Sequence, residues 1–594
     1  MKYAEYLVAK LASEEKYTHC YFVAGGNTMH LLDAARKVFK CIPVVNEVAA
    51  GIAAEYFNET NPEGNKAFAL VTAGPGLTNI LTAVAGAYLE SRALLVIGGQ
   101  VKSSDLKSPG MRQRGIQEID GQAIAHPITV ASKTILEQMH FSQIQEILHM
   151  SEKPGPIFLE IPLDVQGAEL GVLELGKSFE EKTIRENHSF KSFMASVIDQ
   201  LLICERPILL LGGGLSREVA RNLSSKIEKM GIPVMTTWNG IDRYADDLEN
   251  CWGRPNTWGQ RSSNMLIQQC DLLIAVGTRL GLQQTGFAWE EFCPLAKIYQ
   301  IDIDELELEK GHPRIEAGLQ SDAGAFLTEL INSVTPEVQK FSHWLDFGSK
   351  VLGSFPLNDA SNETGPGYVC PYTFIGILST KLKSDDVIIP CSSGGAFTVT
   401  MQALVAKFGQ IIVTNKGLAS MGYGLSGALG AAESTRSRTI LIEGDGGFAQ
   451  NLQELGTLAR QNLNVKVFVF SNSGYASIRM TQRNYFNGAY LGCDVETGLG
   501  LPDWSFIAKA YGLRYTKIEK SEQVDLALND ILGRKEPEFI EVMIDPEQTY
   551  FPKITSRLLS DGKMVSNPLH MMSPDLSEDE INEFLPYLAG RILK

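Results

Sequence analysis

The chain has 594 residues, 44% of them hydrophobic and 21% charged, with a net charge of −16. That length supports several domains with ample core, and the composition is that of an ordinary globular protein. The acidic balance excludes nucleic acid and anionic membrane as expected partners. Nine scattered cysteines with no CxxC pair read as reduced thiols of a cytoplasmic protein, not a disulfide framework or a zinc site. No apolar run reaches the ~18–20 residues of a membrane span.

The N-terminus, MKYAEYLVAKLASEEKY, spaces Tyr3, Tyr6, Leu7 and Leu11 as an amphipathic helix and lacks the apolar core of a signal peptide. Buried-strand runs follow at 20–26, 67–76, 93–99 and 156–162, with helix patterns between them. This alternation predicts a doubly wound parallel sheet over 1–170. Glu47, in PVVNEVAAGIAAEYFNET, ends a strand-like run and opens a helix rich in small residues, which permits close packing. Read alone, it is a first-turn acid stabilised by the helix dipole. Thr72 to Asn79 form a Pro-Gly turn after the second run, a common feature without specificity of its own.

A charged linker spans 175–190. A second α/β block, 190–340, has runs at 207–214, 232–238, 271–281 and 298–304. Its Gly212-Gly213-Gly214 does not have the GxGxxG spacing of a dinucleotide fingerprint. A polar stretch from Ser354 to Gly367 leads to a third block, 368–550, with runs at 386–395, 410–417, 439–447, 466–474 and 539–545. Ser392, Ser393, Gly394 and Gly395 stand after a strand and before a helix pattern. Hydroxyls and free N–H groups there suit a diphosphate. A tail, 551–594, closes the chain.

The most specific segment is Thr439 to Tyr475. One apolar run ends in Gly444-Asp445-Gly446-Gly447, a helix pattern follows, and a second run ends in Ser471-Asn472-Ser473-Gly474. This is a strand–helix–strand unit with an oxygen ligand just past the carboxyl end of each strand, where open parallel sheets bind ligands. A carboxylate and an amide carbonyl suit a hard octahedral cation such as Mg²⁺, completed by phosphate and water oxygens. The glycines let backbone N–H groups approach a pyrophosphate.

This segment resembles the GDG–NN signature of thiamine diphosphate enzymes, with Ser471 in place of the first Asn. The three α/β blocks resemble the decarboxylase and acetohydroxyacid synthase group over nearly the whole chain. The resemblance implies three doubly wound domains: pyrimidine-binding (1–170), central (190–340) and diphosphate-binding (368–550). It makes Asp445, Asn472 and the Gly474 carbonyl the Mg²⁺ ligands, with Gly444, Gly446, Gly447, Tyr475 and the Ser392–Gly395 turn beside the diphosphate. Glu47 matches the glutamate that activates the aminopyrimidine ring. Thr72, Pro75 and Asn79 match a turn beside that ring. Met421 matches the apolar wedge that bends the cofactor, and the Ala419 carbonyl accepts from its amino group. Gly25 and Gly26 match a double glycine near the developing oxyanion, and Gln117, in QRGIQEID, matches a glutamine facing the reactive carbon. In the family these halves meet across a subunit interface, which implies a homodimer or homotetramer.

Gly277, Arg279, Thr285, Asp302 and Asp322 resemble elements along FAD in acetohydroxyacid synthases, as a structural cofactor. Pyruvate decarboxylases carry a His-His pair that this chain lacks, so aldehyde release is disfavoured. The expected reaction is decarboxylation of pyruvate and transfer of its two-carbon unit to an acceptor ketone. The segments 478–494 and 551–574 resemble a subgroup that uses a nucleotide-linked keto-sugar, and they are expected to form a lid. Three alternatives stand beside this reading: acetolactate synthase proper, a pyruvate oxidase, and a catalytically silent subunit.

Overall fold

The computed structural model describes residues 1–151, 153–173, 188–334, 340–558 and 563–589. Nearly all of the predicted 175–190 linker lies outside them. The fold is built on three fully parallel sheets.

The first contains β1 (Tyr17–Phe22), β2 (Lys40–Pro43), β3 (Lys66–Val71), β4 (Leu94–Gln100), β5 (Ala131–Thr134) and β6 (Pro156–Pro162), in the order 2-1-3-4-6-5. The second holds β7 (Pro207–Leu211), β8 (Val234–Thr236), β9 (Leu272–Val276), β10 (Lys297–Asp302) and β11 (Ala317–Gln320), ordered 11-10-9-7-8. The third holds β12 (Val387–Pro390), β13 (Ile411–Ile412), β14 (Thr439–Gly444), β15 (Val465–Ser471), β16 (Arg514–Ile518) and β17 (Glu538–Met543), ordered 13-12-14-15-17-16. Counted from its own first strand, the third sheet repeats the order of the first. Each sheet has a point where neighbouring strands send their connections away in opposite directions: between β1 and β3, β7 and β9, and β12 and β14. In open α/β sheets that point is a binding crevice.

The predicted strands include every central one, together with the edge strands β8 and β13. The central strands are buried on both faces, so their sequences are continuous apolar runs. The strands β5, β11 and β16 lie at sheet edges, where partial exposure admits polar residues and erases the pattern.

Two helices join the first and third units. Glu47–Thr60 is buried along Ala49–Ala54 and packs on two helices, with Gly51 against Pro75–Leu89 and Ala53 and Tyr56 against Tyr423–Thr435. The small residues are a steric requirement. A Cβ on Gly430 would stand 2.0 Å from the Ala53 carbonyl oxygen, and one on Gly427 would stand 2.7 Å from the Tyr56 ring. A buried ionic chain adds the middle unit. Arg92 pairs with Glu55 (3.0 Å) and approaches Glu59 (3.8 Å), Glu59 pairs with Arg217 (2.7 Å), and Arg217 pairs with Asp242 (2.6 Å). Asp242 also accepts from the Ile412 N–H in the third sheet (2.8 Å).

The tail folds back onto the middle unit. Leu569, Phe584, Leu585 and Leu588 share a core with Trp252 and Trp344, and Asn264 donates to the Met572 sulfur at 3.1 Å. Among the described residues no helix is long and apolar enough to cross a membrane.

Gly430→Ala is expected to cost about 1–3 kcal/mol by overpacking, read as a lower urea midpoint. Gly376→Ala, in the exposed middle of helix Pro371–Lys381 with nothing within 4 Å of the new Cβ, is expected to be neutral or stabilising.

Candidate active site

The predicted residues gather at the switch points of the first and third sheets. At the first, Gly25 follows β1 and Thr72 follows β3. A Cβ on Gly25 would lie 2.3 Å from the Thr72 Cβ, so the two turns are in contact, while Gly26 beside them is open. Gly74 takes φ +64, Pro75 begins the next helix, and a Cβ on Gly74 would lie 2.4 Å from the Gln117 carbonyl oxygen. Gln117, itself at φ +65, is thereby seated on the Pro-Gly turn. Glu47 is the buried first residue of its helix, which Asn46 caps, and its Oε2 accepts from the Asn79 amide at 2.9 Å. Glu47, Thr72, Pro75, Asn79, Gln117 and Gly26 therefore belong to one surface.

At the third-sheet switch point Asp445 is buried. Its Oδ1 accepts from the Gly446 N–H at 2.7 Å and its Oδ2 from the Asn472 N–H at 3.0 Å. Burial lifts its pKa to about 7, against the backbone donors that lower it. The neighbouring Asn472 Oδ1 is buried and has no protein partner. A buried charge and an orphaned amide oxygen are both costly unless something positive joins them. A hard cation does so, and the donor set fits Mg²⁺. Among the described residues no three His, Cys, Asp or Glu side chains gather as an alternative metal site. Gly474, the third expected ligand, is fixed by contact. A Cβ there would meet the Cys493 carbonyl oxygen at 2.2 Å, and the Tyr475 N–H donates to that same oxygen at 2.7 Å.

The glycines around this point leave room or prevent clashes. Gly444 is open, a Cβ on Gly446 would stand 2.5 Å from the Tyr475 ring, and Gly447 faces the Met421 side chain. Ser392, Ser393, Gly394 and Gly395 line a cavity of about 260 Å³ with Ala419, and Tyr550 packs against Gly395. The Ser392 hydroxyl donates to the Ser420 carbonyl. Ala419 is held at φ +55, a strained setting for a residue with a Cβ, and Met421 is 38% exposed. A part-exposed thioether, its sulfur met by the Gln450 amide at 3.5 Å, suits a wedge against a ligand.

Three features escape sequence reasoning. Arg479, inside the segment expected to be a lid, is buried. It donates to the carbonyls of Asn472 and Ser473 (3.4 Å each) and of Pro546 (2.8 Å), and pairs with Asp494 (3.3 Å). It therefore orders the ligand loop. The loop carrying Ala419 and Met421 is clamped from the first unit of the same chain. The Glu55 carboxylate accepts from Asn415 (3.2 Å) and Tyr423 (2.7 Å), Arg92 donates to the Thr414 carbonyl (2.7 Å), and Glu90 accepts from the Gly417 N–H (2.5 Å). The cavity is also walled by Trp238, Trp258 and Gln283 of the middle unit. None of these shows locally, because each depends on distant segments meeting.

In the middle unit Gly277 follows β9 at φ +62, and the Gly214 N–H donates to its carbonyl (2.9 Å), so the switch point is closely packed. The Arg279 guanidinium is engaged by the Leu89 carbonyl and the Ser91 hydroxyl. The Thr285 hydroxyl is buried and bonds the Gly281 carbonyl (3.3 Å). Asp302, at the end of β10, accepts from the Asp304 N–H (3.0 Å), and burial raises its pKa. Asp322 caps the helix Ala323–Ser333. These residues ring the carboxyl ends of the strands, but Arg279, Asp302 and Asp322 each already have a protein partner.

Three family models match the chain: the N-terminal TPP binding domain of thiamine pyrophosphate enzymes over residues 1–124, their central domain over 194–330 and their C-terminal TPP binding domain over 393–542. The chain belongs to the thiamine pyrophosphate enzymes. Within them it is of the acetolactate synthase-like type. It is 28% identical over 544 residues to the acetolactate synthase isozyme 1 large subunit of Escherichia coli (strain K12), spanning 90% of this chain and 92% of that one. It is 27% identical to the isozyme 2 large subunit of the same organism, spanning 83% and 86% of the two chains. It is 26% identical to the acetolactate synthase large subunit of Cyanidium caldarium, spanning 93% and 95%.

Arg479→Met is expected to weaken Mg²⁺ binding about 10–100-fold, as loss of a group that orients first ligands does. Calorimetric titration of the metal in the presence of thiamine diphosphate checks this.

Proposed function

We propose that this enzyme decarboxylates pyruvate and joins the remaining two-carbon unit to a ketone, with a second pyruvate as one acceptor. The observation that carries the reading is the buried Asp445 carboxylate beside the unpartnered Asn472 oxygen, at the same switch point as the Ser392–Gly395 turn. Thiamine diphosphate, when bound, supplies a nucleophilic carbon that attacks the keto group and accepts the electron pair left as CO₂ departs. Asp445, Asn472 and the Gly474 carbonyl hold Mg²⁺ on the diphosphate, and the Ser392–Gly395 turn takes its remaining oxygens. Met421 and the Ala419 carbonyl would hold the cofactor between its two ends. Glu47 holds a proton at the aminopyrimidine ring, with Asn79 orienting its carboxyl. Gly26 and Gln117 sit where the developing charge and the substrate meet.

The cavity is walled by the second and third units, whereas Glu47 and Asn79 belong to the first. The family resemblance has a second copy of the chain bring its Glu47 to such a cavity, and on that ground we infer a homodimer or a homotetramer built from dimers. Ser477 and Met480 line the cavity, and the Lys553 ammonium touches the Met480 sulfur (3.1 Å), which supports the 478–494 segment and the start of the tail as its cover. FAD is assigned to the crevice around Gly277, Thr285 and Asp302 as a structural group. A yellow purified protein with flavin absorbance supports this, and a colourless one that FAD does not bind refutes it.

A keto-sugar acceptor is the second reading. The two indole rings, Trp238 and Trp258, favour it, since they offer surface that pyruvate alone does not need.

The product test is [¹³C]pyruvate turnover followed by NMR with thiamine diphosphate and Mg²⁺. Acetolactate from pyruvate alone supports the first reading. CO₂ release that accelerates only with an added ketone supports the second, and no turnover of pyruvate removes both. Glu47→Gln is expected to bind the cofactor and lose about 10²–10⁴-fold in kcat. Mixing it with Asp445→Asn chains should restore activity if the site is shared between copies, and leave none if each chain builds its own.

A further inference from the structure

The cavity between the middle and third units contains a cation that the reaction scheme leaves unused. Lys416 is the one charged side chain among its lining residues. Its ammonium lies 4.8 Å from the centroid of the Trp238 ring. The acid that acts on it, Glu90, has both oxygens committed elsewhere: one accepts from the Gly417 N–H (2.5 Å) and the other from the Asn239 amide (2.5 Å). Among the described residues no carboxylate forms an ion pair with Lys416, and burial pulls its pKa down to about 8. Lys416 is half-buried, and an ammonium with an aromatic face but no carboxylate beside it keeps the capacity to take an anion.

The same cavity is lined by the turn that opens the ten-residue helix Gly394–Ala403. Gly394 there takes φ +83, and the helix's first N–H groups have no intrahelical partner. An unpaired ammonium and a helix N-terminus facing one cavity are two independent attractions for negative charge. The chain as a whole carries −16, so a positive pocket on it is a local specialisation and not a reflection of composition. Apolar walls from Trp238, Phe397 and Met480 lower the local dielectric and strengthen the attraction.

We propose that Lys416 is the anion-receiving residue of this cavity, where a phosphate or carboxylate group lodges between its ammonium and the N–H groups of the Gly394–Ala403 helix. This rests on the reading of the Ser392–Gly395 turn as the diphosphate end of the cofactor site. The group has two sources, the cofactor's own diphosphate or an acidic group of the substrate.

Tryptophan fluorescence reports the site, because Trp238 touches Lys416. The full-length protein is titrated with inorganic pyrophosphate, thiamine diphosphate and thiamine, each with Mg²⁺, as wild type, Lys416→Met and Lys416→Arg. Kinetics with pyruvate are measured alongside, and melting temperatures confirm that the variants fold. Lys416→Gln replaces Lys416→Met if the latter does not fold. If the diphosphate is the source, the neutral variant weakens pyrophosphate and thiamine diphosphate about 10–100-fold, the worth of a hydrogen bond to a charged group. Thiamine is unaffected and Lys416→Arg recovers most of the loss. If the substrate is the source, cofactor affinity stays put while KM for pyruvate rises by a similar factor and kcat changes little. The inference is overturned if neither quantity moves in the neutral variant, or if Lys416→Arg fails as badly as Lys416→Met. Should wild type bind pyrophosphate in a Lys416-dependent way but not thiamine diphosphate, the cofactor reading falls and the anion site stands.

Discussion

The structure depends on one uncomfortable placement: a carboxylate, Asp445, sealed at the end of a central strand next to an amide oxygen with nothing to bind. In a low-dielectric interior this arrangement is unfavourable by itself, and burial raises the pKa of Asp445 in consequence. It becomes favourable when a cation shared with an anionic ligand enters. The surroundings make sense in those terms. Gly474 and Tyr475 are pinned to Cys493, Arg479 holds the carbonyls of the ligand loop, and glycines keep the approach clear.

Holding the metal end is only half of the task. The first and third sheets share one strand order, so each offers a crevice of the same kind, and a cofactor with two ends needs two. The small-residue packing of Glu47–Thr60 on Tyr423–Thr435 fixes these units to each other at backbone contact distance. From that interface Glu55, Glu90 and Arg92 reach the loop that carries Ala419 and Met421. The buried Arg92–Glu59–Arg217–Asp242 chain then ties in the middle unit. The loop that carries Ala419 and Met421 is thus positioned by residues of the first unit.

Much of this was legible in the sequence, for physical reasons. Central parallel strands are buried on both sides, so β3, β9 and β15 announce themselves as apolar runs. Ligand-binding turns at their ends need glycines and oxygen-bearing side chains at fixed offsets, as in Gly444–Gly447 and Asn472–Gly474. The edge strands β5, β11 and β16 lack the run and were not predicted. Glu47 and Asn79 are 32 positions apart and meet by folding, which the letters around each do not disclose. Asp322, singled out for a nucleotide, is also the N-cap of a helix. Arg479 sat in a segment read as a cover, and Lys416 in a loop read for its neighbours Ala419 and Met421. Their roles follow from what they face, and facing is a tertiary property.

The most direct test of the account is calorimetric binding of thiamine diphosphate to the wild-type protein with Mg²⁺ and after its removal by chelator. The account predicts that the cation tightens binding of thiamine diphosphate about 100-fold or more, by pairing the Asp445 charge, and does nothing for thiamine, which has no diphosphate. Equal affinity for thiamine diphosphate in chelator and in Mg²⁺ would contradict it.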